Sequence, residues 1–167
     1  MISRKYQLVI GRNEPVIFQD YDKHTQIPAK VDSGAYRSAI HCENIKIIQE
    51  DGEEYLTGIL LKGHPCAGTE GYEFKTRKFD KAVVASSFGH KEERYEIKVR
   101  IKIGPLVFIT PVTLADRSKK LFPILLGRRT IRKRFLVDVT RSNIDRIKLK
   151  NTLGINIPDD EEDWIDE

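Results

Sequence analysis

Hydrophobic residues recur at every second position through much of this chain. Tyr95, Ile97, Val99, Ile101 and Ile103 alternate with Glu96, Lys98, Arg100 and Lys102. That period of two predicts a nine-residue strand with one buried and one wet face. Gly104-Pro105 marks the next turn, and residues 106–114 read as the returning strand. Further short strands are expected at residues 6–10, 16–18, 29–31, 45–49, 55–61, 73–78, 81–86 and 135–139. Asp51-Gly52, the Lys62-Gly63-His64-Pro65 run and residues 68–71 supply turns between them. Helix is scarce, with candidates at residues 128–134, after Gly127, and at 142–148. Many short strands at close spacing predict an all-β barrel or sandwich.

The 167 residues fit one domain with room for a single core. The longest apolar stretch, residues 103–115, is interrupted by Gly104, Pro105 and Pro111, so no membrane span is expected. The opening MISRKYQLVIGRNE lacks a signal-peptide core, and export is not expected. Cys42 and Cys66 are too few for a disulfide scaffold and suit a reducing cytoplasm. Charge divides the chain into a body, residues 1–157, and a disordered acidic tail, residues 158–167. The tail, PDDEEDWIDE, holds seven acids and no base; without it 29 basic residues face 18 acidic ones, a net charge of +11. Such a body attracts nucleic acid or an acidic peptide, or simply balances its own tail.

Residues 29–41 read AKVDSGAYRSAIH. Val31 ends an apolar run, and Asp32, Ser33 and Gly34 follow where the strand should turn. Gly34 lacks a Cβ, so another backbone or a substrate can approach closely. Alone, D-S-G equally fits a turn closed by an aspartate hydrogen bond. Towards the other end, FPILLGRR (residues 122–129) is an apolar strand stopped by Gly127 and followed by the helical stretch. Between them, SSFGHKEE (residues 86–93) is polar, carries a glycine hinge and joins two strand candidates.

In that order, the three stretches resemble the signature of the retropepsin-like aspartic proteases. AKVDSGAYRSAIH, SSFGHKEERY and ILLGRRTIRKRFLVDVTRS look closer to one bacterial branch, labelled ATP-dependent zinc proteases. Its members are associated with ATP-grasp ligases that add glutamates to a ribosomal protein. The likeness covers residues 9–142, with Ser33 in place of the commoner threonine and Tyr36-Arg37 where Arg-Thr is typical. It implies a closed β-barrel with one short helix after the ILLGR strand, and a flap over the cleft. It also implies a catalytic loop of Asp32, Ser33 and Gly34, with Ser33 bonding across a two-fold axis. Substrate contacts are implied for Ala35, Arg37, Ser87, Phe88, Gly89, Lys91, Arg94, Leu126, Gly127 and Arg128, with Arg128 tying a loop near the site.

Acid-protease chemistry needs two carboxylates about 3 Å apart sharing one proton. The sequence holds a single D-[ST]-G, so the second carboxylate has to come from another copy of the chain, across a two-fold axis. A homodimer acting on a peptide is therefore expected. Guanidinium groups suit carboxylates, and Arg37, Arg129, Lys91 and Arg94 lie in or beside the motifs, which favours acidic, glutamate-rich tails. An ATP-grasp ligase is the partner the resemblance suggests, and the acidic tail could mimic a substrate.

No cofactor is expected. An H-E-x-x-H helix and a G-x-x-x-x-G-K-[ST] loop are both missing. His41-Cys42 and His64-Pro65-Cys66 invite a zinc reading, but neighbours on a strand point to opposite faces, and no metal is assigned. The alternative to an enzyme is an inactive dimeric barrel that binds acidic peptides or RNA. RNA is disfavoured because aromatic residues make up only 8% of the chain and no aromatic-basic strand motif is present.

Overall fold

The computed structural model describes residues 7–85 and 88–154. Strands form 51% of it and helix 8%, so the fold is all-β as the alternation predicts. Among the described residues the strands are β1 (Leu8–Ile10), β2 (Asn13–Phe18), β3 (Ile27–Val31), β4 (Ser38–Glu50), β5 (Glu53–Leu60), β6 (Tyr72–Thr76), β7 (Asp80–Ala85), β8 (Lys91–Ile103), β9 (Leu106–Ala115), β10 (Ile124–Leu126) and β11 (Phe135–Val137). Two short helices complete them, α1 (Arg128–Ile131) after β10 and α2 (Arg146–Leu153) after β11.

Six strands close on themselves. Around the barrel, β10 lies parallel to β3, then β3, β2, β8 and β9 pair antiparallel in turn, and β9 lies parallel to β4. Antiparallel pairing of β4 with β10 completes the circuit. Closure removes the sheet edges at this point. The long β4 leaves the barrel at a bulge between Glu43 and Lys46, where Asn44 has φ +57°, and carries β5 and β6 outward as an arm. β7 folds onto β8 as a hairpin, and β1 pairs in parallel with β11.

Inward side chains fill the barrel: Val16, Ile27, Ile40, Ile101, Ile103 and Leu126 are buried. Each contributes about 1.5–3 kcal/mol by leaving water. The alternation holds along β8, with Ile97, Val99, Ile101 and Ile103 buried and Lys98 and Arg100 exposed. Glu96 departs from it and is buried.

The strand expected at 45–49 is the outer half of a thirteen-residue strand. Its inner half, Ser38 to Cys42, is buried at every position and so shows no alternation. The helix expected at 142–148 starts later because Asp145 caps it, its side chain accepting the Lys148 N–H. Ser142 is engaged elsewhere, donating to Asn13 Oδ1 at 2.9 Å. The acidic tail at 158–167 lies outside the described residues.

Candidate active site

Asp32 sits at the end of β3, and β10 fixes it there. The Asp32 N–H donates to the Leu126 carbonyl at 2.9 Å, extending the pairing of Leu126 with Val31. The Gly34 N–H then donates to Asp32 Oδ1 at 2.9 Å, so the turn-type hydrogen bond is present. The carboxylate is half-buried, while Ser33 and Gly34 are exposed beside it. Asp32 therefore stands on a rigid strand end facing outward.

The following residues cap α1. Two N–H groups at its start donate to this loop, Arg128 to the Ala35 carbonyl at 2.8 Å and Arg129 to the Tyr36 carbonyl at 3.0 Å. The Arg128 guanidinium donates to the Ser33 carbonyl at 3.0 Å, the tie expected of it. Gly127 makes this approach possible: a Cβ there would stand 2.5 Å from the Arg37 carbonyl oxygen. Behind the loop runs a buried hydroxyl chain that no motif in the sequence announces. The Gly127 N–H donates to Ser38 Oγ at 3.0 Å, Ser38 Oγ lies 2.6 Å from Thr130 Oγ1, and Thr130 Oγ1 lies 2.8 Å from Thr110 Oγ1. Its one sequence signal is hydroxyl residues standing among apolar neighbours.

Other expected site residues are placed differently. Arg37 is committed to the buried Glu96 at 2.6 Å, and Arg129 shares that carboxylate at 3.3 Å. These arginines thus neutralise a charge inside the fold, while Arg37, Arg128 and Arg129 surround the exposed Tyr36 ring. The Leu126 side chain points into the core, and its neighbour Leu125 faces the cleft instead. Of the flap residues, Ser87 lies outside the described residues, Phe88 is exposed near the hairpin tip, and Gly89 takes φ +79°. Lys91 is exposed on β8, and Arg94 bonds Glu92 at 3.1 Å.

Asp32 and Ser33 open into a groove of about 760 Å³. Its walls carry Arg12, Lys30, Arg117, Lys119, Lys120 and Arg146, and among the described residues Asp32 is the one carboxylate lining it. Val31, Leu121, Phe122, Leu125, Val137 and Val139 supply apolar surface. Burial brings Arg117 down to about 10; the like charge of Arg94 acts in the same direction, and the Asp32 carboxylate opposes it. The cations at 117–120 were not expected from the sequence, because nothing local sets a β9–β10 loop apart from any solvated turn. A second groove, about 630 Å³, lies between residues 74–80 and β8 and includes Glu96 and Arg129 but none of the Asp32 loop.

Two imidazoles brace residues 117–120 from within. His41 Nδ1 accepts the Arg117 N–H at 2.9 Å, and its Nε2 donates to the Lys62 carbonyl at 2.8 Å. His64 Nδ1 accepts the Cys66 N–H at 3.1 Å, and its Nε2 donates to the Lys120 carbonyl at 2.9 Å. Every ring nitrogen of the pair is engaged, and both rings are buried, in edge contact at 5.5 Å. Cys42 and Cys66 are buried free thiols, and burial pushes Cys42 up to about 12. Among the described residues no three His, Cys, Asp or Glu side chains are grouped to hold a metal.

A family model described as RimB-like, retropepsin-like aspartic endopeptidase RimB, matches residues 9–148. This chain belongs to the RimB-like family. Its curated relatives include a protein named probable alpha-L-glutamate ligase from Desulfotalea psychrophila, 33% identical over 67% of this chain and 24% of the relative. One of the same name from Shewanella pealeana is 32% identical over 70% of this chain and 25% of the relative. The chain thus spans about a quarter of these ligases. Among solved structures, a Legionella pneumophila protein of unknown function superposes with a TM-score of 0.65 at 27% identity, over 82% of this chain and 97% of that one. The matched residues take in the six barrel strands, the D-S-G loop after β3 and the Gly-Arg start of α1.

Proposed function

We propose that this chain is a homodimeric aspartic endopeptidase that cleaves acidic, glutamate-rich peptide segments in the cytoplasm. The observation that carries the reading is the single outward-facing Asp32 at the mouth of a groove lined by six cations. The exposed Ser33 and Gly34 leave the loop open to a second copy, which supplies the second carboxylate across a two-fold axis. Paired so closely, the two groups share one proton. The ionised Asp32 takes a proton from the water between them as its oxygen bonds to the scissile carbonyl carbon. The protonated Asp32 gives its proton to the carbonyl oxygen, forming a neutral diol. Proton transfer to the peptide nitrogen then lets the C–N bond break, releasing a carboxyl and an amine.

The groove's formal charge suits a chain of substrate carboxylates, with guanidinium groups able to bind them in pairs. The names of the curated relatives support glutamate-rich tails as substrate, and a ligase of that class as partner. Two buried free thiols fit a reducing compartment, and no helix among the described residues is long and apolar enough to cross a membrane.

The test is turnover of an oligoglutamate peptide by the native chain and by Asp32→Asn, with the solution mass measured alongside. Asparagine keeps the oxygen that accepts the Gly34 N–H, so folding and dimer mass should be retained while hydrolysis is lost. A second reading is favoured by that same hydrogen bond: Asp32 closes a turn, and the barrel only holds acidic peptides. Peptide binding without turnover, equal in native and Asp32→Asn chains, would establish it.

A further inference from the structure

The groove beside Asp32 carries a formal charge of +5 in a structure that describes the chain only to Gly154. The thirteen residues that follow read INIPDDEEDWIDE, with seven acids, no base and Trp164, the chain's single tryptophan. We infer that the segment 159–167 docks in this groove, its carboxylates against Lys30, Arg117, Lys119 and Lys120 and Trp164 against the apolar wall around Phe122 and Val139. The inference deepens the proposed reading, because the segment then occupies the place of an acidic substrate.

Geometry allows the chain to reach. Arg146, the first residue of α2, lines the groove. The base of α2 is fastened to the barrel: Asn13 Oδ1 accepts the Ile144 N–H at 3.0 Å, and Glu14 Oε1 accepts from Asn143 Nδ2 at 2.5 Å. The eight residues of α2 rise about 12 Å before Gly154, in the left-handed conformation, ends the helix. Residues 155–158 span about 13 Å when extended, enough to return along α2 to its base before Asp159. The wall also suits the segment's composition, since the apolar pair Leu121-Phe122 follows the cations of 117–120 as Trp164-Ile165 follows the acids of 159–163.

Trp164 reports its own surroundings, so the experiment needs no catalysis. Emission and acrylamide quenching are measured for the full chain, for the Lys119→Glu/Lys120→Glu double variant, and for the unaltered chain in about 1 M NaCl, where the screening length falls to ~3 Å. The double variant lowers the groove's formal charge from +5 to +1 at two exposed positions. Blue-shifted, poorly quenched emission that moves to the values of the urea-unfolded chain on charge reversal, and towards them in salt, is expected. An added oligoglutamate peptide should produce the same release. Emission already matching the unfolded chain overturns the inference, as does a blue-shifted signal unmoved by salt and charge reversal. The salt arm decides the matter if the double variant does not fold. Removal of residues 159–167 should lower KM for oligoglutamate. If no peptide is hydrolysed at all, the enzyme reading fails while the fluorescence still decides the docking.

Discussion

Two regions of this barrel hold residue types that do chemistry, and residues 117–120 run between them. On one side Asp32 faces a charged groove from an exposed loop. On the other, His41, His64, Cys42 and Cys66 are sealed in the interior, with each imidazole nitrogen bonded to backbone. By composition these sealed residues are the richer set, since two histidines and two cysteines match a common zinc set. Placement reverses the ranking. A ring whose Nδ1 accepts an N–H and whose Nε2 feeds a carbonyl has no lone pair left for an ion. The carboxylate has one oxygen orienting its turn and a face towards the cleft.

The contrast is most severely tested at Asp32. Asp32→Asn should reduce peptide hydrolysis by about 10²–10⁴-fold, the range general acid–base groups supply, with the melting temperature unchanged; a mutant that melts early would make Asp32 structural like the histidines. His64→Ala should do the reverse. It strands the Cys66 N–H and the Lys120 carbonyl, costing about 1–3 kcal/mol of stability in urea unfolding. Stoichiometric zinc uptake by the native chain, measured by metal analysis, would break the comparison outright.

Acid sharpens it further. Burial holds His64 below its ordinary value, with the charges of His41 and Arg117 adding to the effect and its bond to the Lys120 carbonyl opposing it. The unfolded chain then binds the proton first, near pH 6.5, and the folded ring only at lower pH. Stability is therefore complete above about pH 6.5 and declines as pH falls through that interval, levelling once the folded ring is protonated. His64→Gln should flatten the slope in melts recorded from pH 7 downwards. The smallest effect concerns Cys42: with its thiol raised to about 12 by burial, a disulfide reagent at pH 8 should label it only after unfolding.

Much of the frame was legible because β8 buries one face from Ile97 to Ile103, and a period of two is the direct record of that. The inner half of β4 was not, since the barrel and the covering loops bury both of its faces. Asp32, Gly127 and Arg128 could be read because a strand end, a close approach and a helix start each leave a local mark. Arg37 could not: its partner Glu96 is 59 positions away, and no nearby residue betrays a buried carboxylate. Leu126, expected to touch substrate, points inward; a three-residue strand is too short to fix its own phase. The cations of 117–120 become a groove wall only after β10 closes the barrel.

β10 is also the strand that ties Asp32 down, since the hydrogen bonds completing the circuit are continuous with the one from Asp32 to Leu126. The loop has no separate way to open: releasing the Asp32 amide means parting the stave between β3 and β4. Deuterium should enter at Asp32 and Gly127 at the slow rate of the deepest barrel amides, making this exposed corner one of the last places in the molecule to exchange.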